Sequence, residues 1–192
     1  MTDAPVLYYE LQSPYSWLAA ERITRLIPAA DWKPVSYAHV VQHTGVLPWS
    51  FNEERSEDFA EIERRANERG LLDVRYPEGW PMYSTIQALR AATFAKEIGK
   101  VQAFSLAAFR QQFNGGRPLS DIDTILLAAA ACEIHPDALL KNIERDAIKE
   151  RLKQTTQEAI DRGVTGVPTV AIDGELFWGD DRLEAATAAL AH

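Results

Sequence analysis

Leu7-Tyr8-Tyr9-Glu10-Leu11-Gln12-Ser13-Pro14-Tyr15-Ser16-Trp17 is an apolar run that breaks into a polar residue, a proline and then helical spacing. Val6 to Leu11 reads as a short buried strand. Pro14 suits the first helical position, where its missing N–H would have no partner and its fixed φ is already helical. Ser13 then falls at the N-cap, its hydroxyl beside free backbone N–H groups. A strand that runs into the positive end of a helix is a seat for an anion.

Outward from that seat, Tyr15, Leu18, Ala19, Ile23, Leu26 and Ile27 hold helical spacing up to Pro28. Trp32 to Ala38 reads as a second strand, with Pro34 placing it at a sheet edge or delaying its start. Strand, helix and strand within about forty residues is the unit that sets two parallel strands side by side. From Phe51 to Arg69 the chain is heavily charged, with Phe59, Ile62 and Ala66 as a helical stripe and Gly70 as its stop. Leu71 to Pro81 is an irregular connection. Helices follow over Ser84–Ile98, Val101–Phe113, from a Ser120 cap through Glu133, from Pro136, and over Asp146–Arg162. The period then switches back. Pro168 to Ile172 is a strand, Asp173-Gly174 a two-residue turn, and Glu175 to Trp178 the partner strand. Arg182 to Ala191 closes the chain as a helix. The expectation is an α/β domain built from residues 1–50 and 146–192, interrupted by an all-helical insertion over 51–145.

Composition narrows the function. The chain has 192 residues, 46% hydrophobic and 25% charged, with a net charge of −8. That suits a soluble globular protein, and it argues against a nucleic-acid partner, which needs clustered Lys and Arg. Cys132 is the single cysteine and reads as a small buried side chain, since no internal disulfide or zinc spacing is open to it. Met1-Thr2-Asp3-Ala4-Pro5 carries no signal-peptide pattern, and no apolar run reaches membrane-spanning length, so a cytoplasmic protein is expected.

β-α-β, then helices, then α and a Val-Pro-Thr junction before a β-hairpin is the element order of the thioredoxin fold. Ser13-Pro14-Tyr15-Ser16, the run Gly163 to Thr169 and the run Glu175 to Leu183 together resemble the DsbA-type family with a helical insertion. Within it, they are most similar to the 2-hydroxychromene-2-carboxylate isomerase and kappa-class glutathione transferase branch. The resemblance covers both ends of the chain well and the helical middle loosely. Its redox members carry Cys-x-x-Cys where this chain has Ser13-x-x-Ser16, so thiol–disulfide exchange has no nucleophile here.

The resemblance implies that the thiol arrives on a cofactor, glutathione or another small thiol, with its sulfur near Ser13. A hydroxyl hydrogen bond and the helix dipole both favour thiolate over thiol. Such a thiolate can add to a conjugated carbonyl compound and leave again, giving isomerisation without net redox change. A cis Val167–Pro168 bond would turn the Val167 backbone into the site to pair with an extended peptide. Asp180 and Asp181 stand where the family binds the γ-glutamyl end; a carboxylate there suits an ammonium, or it caps the helix that follows. The implied function is a glutathione-dependent isomerase or transferase acting on a small aromatic or conjugated carbonyl compound, with dimerisation common in the branch. The alternative is a non-catalytic peptide- or thiol-binding member of the fold.

Other residues carry less. His39 and His43 could share a helix face, but no acidic or cysteine partner completes a metal site. Trp49, Trp80 and Tyr83 could wall an apolar pocket or belong to the core. Asn52 and Arg55 lie where a further cofactor contact could fall. Lys33-Pro34 fits the branch's pattern after the second strand, whereas the segment from Val35 onward departs from it.

Overall fold

A computed structural model describes residues 4–52 and 54–190. Among them, one four-stranded sheet is surrounded by nine α-helices, in the order β1 (Val6–Tyr9), α1 (Pro14–Leu26), β2 (Asp31–Pro34), α2 (Tyr37–Thr44), α3 (Ser56–Glu68), α4 (Ile86–Glu97), α5 (Val101–Phe113), α6 (Ile122–Ala131), α7 (Pro136–Ile143), α8 (Asp146–Asp161), β3 (Thr169–Ile172), β4 (Glu175–Trp178) and α9 (Leu183–Ala189). The strands lie in the order β2-β1-β3-β4. β1 pairs parallel with β2, Tyr9 opposite Pro34, and antiparallel with β3, Val6 opposite Ala171.

The central strand shows why it is apolar throughout. Its four residues are all buried, and they alternate between the two sheet faces. Leu7 and Tyr9 join Trp32, Val170 and the helices α1 and α4 to α7 in the main core. Val6 and Tyr8 join Val35, Ala159, Val164 and Ala171 on the other face, against α8. Pro34 sits on edge strand β2, where its missing N–H costs the sheet nothing. Asp173 and Gly174 both take positive φ, 48° and 87°, as a two-residue hairpin turn requires.

Local structure departs from the sequence reading in four places. The second strand stops at Pro34, and Tyr37 and Ala38 open α2 instead. Ser36 stands at the α2 N-cap without a side-chain capping bond, the first helical N–H, Tyr37 N, donates to Glu10 Oε2 at 3.2 Å, and Gly45 closes the helix at φ 71°. Trp49–Phe51 is a short 3-10 turn and α3 begins only at Ser56. The cap of α6 is Asp121, whose carboxylate accepts from Asp123 N at 3.0 Å, and not Ser120. The final helix starts after a 3-10 turn over Asp180–Arg182; its expected end, Ala191, and the start of the chain, Met1 to Asp3, lie outside the described residues.

Candidate active site

The turn from β1 into α1 forms one wall of a cleft of about 1300 Å³. Ser13 caps α1, its Oγ accepting from Ser16 N at 3.1 Å, and it faces the cleft half-buried. Pro14 has no N–H to offer, and the Tyr15 N–H has no protein partner among the described residues. A hydroxyl and an open amide thus meet at the helix's positive end. Ser16 is fully buried, with Glu10 N 3.5 Å from its Oγ, so only the first serine of the Ser13-x-x-Ser16 frame lines the cleft.

The loop before β3 lines the same cleft. The Val167–Pro168 bond is cis, and both residues line the cleft. Pro168 O accepts from Gly179 N at 2.9 Å, and Thr169 Oγ1 donates to Gly166 O at 2.7 Å, which braces the loop. The Val167 N–H and C=O have no partner among the described residues and are open to an extended ligand. Gly166 is small for a reason: a Cβ there would run into the Trp178 indole.

The two aspartates have different surroundings. Asp181 is exposed and joins no ion pair among the described residues. Asp180 is fully buried. Its Oδ1 accepts from Arg65 Nη1 at 2.5 Å, and Arg69 Nη1 lies 2.6 Å from Oδ2 without hydrogen-bond alignment. The Asp180 carboxylate therefore fixes Arg65 at the cleft wall, where the guanidinium also stacks 5.6 Å over the Tyr15 ring.

Three residues given no role in the sequence reading complete the site. Glu10 is buried at the cleft wall and accepts from Thr85 Oγ1 at 2.8 Å, Tyr37 N at 3.2 Å and Gln12 N at 3.3 Å. Burial pushes its carboxyl up to about 7 against those three donors, which pull the other way. Gln12 donates its amide to the Pro81 and Tyr83 carbonyls at 2.7 and 2.8 Å, and its own carbonyl accepts from Trp80 Nε1 at 3.1 Å, pinning the 80–83 loop to the start of α1. Arg65 is the third. A charge at Glu10 inside an apolar strand was the one legible signal; Gln12 and Arg65 act through partners far along the chain.

Trp49 and Trp80, 5.8 Å apart between ring centroids, form an apolar wall with Tyr83 nearby. His39 also lines the cleft, with Nδ1 2.8 Å from Ser36 Oγ; His43, Asn52 and Arg55 do not line it. Among the described residues no group of three or more His, Cys, Asp or Glu could hold a metal ion, and no helix is long and apolar enough to cross a membrane. Cys132 is half-buried away from the cleft, and burial pushes its thiol up.

The DSBA-like thioredoxin domain family matches residues 6–191. A 2-hydroxychromene-2-carboxylate isomerase from Sphingobium xenophagum is 22% identical over 191 residues, 96% of each chain. One from Pseudomonas sp. (strain C18) is 49% identical over 41 residues, 21% of this chain and 19% of the relative. Among solved structures, a 2-hydroxychromene-2-carboxylate isomerase superposes with a TM-score of 0.86 at 22% identity, over 97% of this chain and 94% of that one. The cytosolic disulfide reductase DsbM from Pseudomonas aeruginosa with GSH gives 0.63 at 12% identity, over 97% and 98%.

Proposed function

The chain belongs to the DSBA-like thioredoxin domain family, and from that premise we propose that it is a glutathione-dependent isomerase acting on a conjugated carbonyl compound. The observation that carries the reading is the start of α1, where the Ser13 hydroxyl and the free Tyr15 N–H share a cleft with the open Val167 backbone. When bound, the thiol supplies a nucleophile that adds to and leaves the conjugated system without net redox change. Ser13 donates to the sulfur and, with the helix dipole, holds it as thiolate. Val167 pairs with the peptide backbone of the cofactor, and Asp181 takes its ammonium.

Asp180 does not contact the ammonium in this account, because its carboxylate is already taken by Arg65 and Arg69. It acts by placing Arg65. The isomerase relatives are named for an aromatic acid, which supports the reaction class. A disulfide reductase neighbour described with GSH supports the thiol. The division into residues 1–50 with 146–192 and a helical insertion over 51–145 belongs to the same reading, as does a cytoplasmic setting, where glutathione is kept reduced.

The test compares reduced glutathione with S-methylglutathione as cofactor for cis–trans conversion of a conjugated ketone. Conversion with the first and none with the second is expected. Equal rates with both, or with neither, would remove the thiol from the mechanism and favour the peptide-binding reading that the open Val167 backbone also suits.

A further inference from the structure

Arg65 has one amino group to spare. Its Nε donates to Glu61 Oε1 at 2.6 Å and its Nη1 to Asp180 Oδ1 at 2.5 Å, while Nη2 has no partner among the described residues. The guanidinium lies over the Tyr15 ring, and its side chain keeps 20% of its surface exposed at the cleft wall. Held by two carboxylates and a ring, it offers its remaining donor in a set direction, with little side-chain entropy left to lose.

The open group beside it has the opposite sign. Asp181 directly follows Asp180, the residue that Arg65 grips. Its carboxylate folds back over Gly179, where a Cβ would stand 2.4 Å from Asp181 Oδ1. Gly179 N donates to Pro168 O at 2.9 Å, which sets that carboxylate beside the cis-proline loop. Arg65 and Asp181 both line the cleft, yet no ion pair joins them among the described residues.

Charge says what fits between them. Glu61, Glu68 and Asp180 pair with Arg64, Arg65 and Arg69, three of each sign. A group bringing one ammonium and one carboxylate keeps that balance and gives each open side chain a charged partner, whereas either charge alone serves only one. An α-amino acid head carries both on a single carbon.

Sheet order sets how far that head lies from the sulfur. β1, which leads to Ser13, and β4, which leads to Asp181, are separated by β3, and two strand spacings are about 9–10 Å. Free cysteine has its α-carbon two bonds from the sulfur and cannot reach both ends. In a γ-glutamyl-cysteine unit seven bonds separate the sulfur from the glutamyl α-carbon, about 8 Å of extended chain.

We propose that Arg65 and Asp181 form a receptor for a free α-amino acid head group, Arg65 Nη2 donating to its α-carboxylate and Asp181 accepting from its α-ammonium, so that the cleft selects thiols with a γ-glutamyl end. The choice of thiol rests on the reading of Ser13 given above; recognition of the head group does not.

The experiment therefore uses a ligand without sulfur, γ-glutamyl-2-aminobutyryl-glycine, in calorimetric titration of the full chain. Two analogues replace its γ-glutamyl group by 4-aminobutyryl, which lacks the α-carboxylate, and by glutaryl, which lacks the α-ammonium. Each deletion is expected to weaken binding to the native chain about tenfold or more. Arg65→Met should erase the preference for the α-carboxylate, and Asp181→Asn the preference for the α-ammonium. Arg65→Met leaves Asp180 buried with one partner fewer. If that variant does not fold, Arg65→Lys, which keeps a charge for Asp180 without the fork, should reduce the same preference. No binding of the parent peptide, equal binding of the 4-aminobutyryl analogue, or undiminished discrimination in the Arg65 variants overturns the receptor. So does an Arg65 variant that raises KM for the electrophile but binds the peptide normally, which gives the guanidinium to the electrophile instead. The expected pattern without glutathione-dependent conversion of a conjugated ketone sinks the thiol reading and leaves the receptor standing. Such conversion without the pattern does the reverse.

Discussion

At the scale of single residues, neighbouring side chains of one type have unlike tasks. Asp180 and Asp181 are adjacent, yet the first is enclosed by Arg65 and Arg69 and the second faces solvent. Asp180→Asn removes the charge that two partly buried guanidinium groups rely on. It should lower unfolding free energy by about 2–4 kcal/mol in urea titration, while Asp181→Asn changes it by no more than about 0.5 kcal/mol. Ser13→Ala deletes a cap worth about 1 kcal/mol and should depress kcat/KM with glutathione by about a hundredfold, roughly 2.7 kcal/mol. A loss in kcat/KM no larger than the loss in stability would make Ser13 a cap and nothing else. Ser13, Val167 and Pro168 were legible because helix starts and X-Pro junctions announce themselves over a few residues. Nothing adjacent to Asp180 in the chain announces Arg65, more than a hundred residues away.

At the scale of elements, the strands and most helices follow from period and punctuation, and the misreadings share one cause. Val35 to Val41 has β-branched and aromatic content, but Ser36 and Gly45 bracket a helix whose one buried side chain is Val40. Sequence windows weigh propensity, whereas the observed helix goes with Glu10 taking the Tyr37 N–H, the left-handed Gly45 and packing on α8. The hairpin and the loop before it form a second unit, because the Trp178 indole of β4 lies over Gly166. Gly166→Ala forces that exposed indole aside. Fold stability should change little, while glutathione binding should weaken roughly threefold to tenfold, about 0.7–1.4 kcal/mol, with a shift in tryptophan emission. Unchanged binding and emission would place Trp178 outside the site.

At the scale of the whole molecule, Glu10 joins three segments: the end of β1 through Gln12 N, the start of α2 through Tyr37 N, and the approach to α4 through Thr85. Its carboxyl is raised from 4.5 to about 7 by burial. A carboxyl raised in the folded state holds its proton longer there than in the unfolded chain. Its share of stability is therefore full below about pH 4.5 and lost as pH rises to about 7, a total on the order of 3 kcal/mol. Glu10→Gln should remove that decline, and urea midpoints between pH 4.5 and 7 would show it. A decline of the same size in the variant would assign it to other groups.

The central claim is that a thiol cofactor is held between the start of α1 and the cis-proline loop. Calorimetric titration with reduced glutathione, comparing the native chain with Asp181→Ala, tests it most directly. Binding to the native chain, weakened about tenfold or more by loss of the Asp181 carboxylate, is the predicted result. No measurable heat of binding to the native chain, or equal affinity in both, would contradict it.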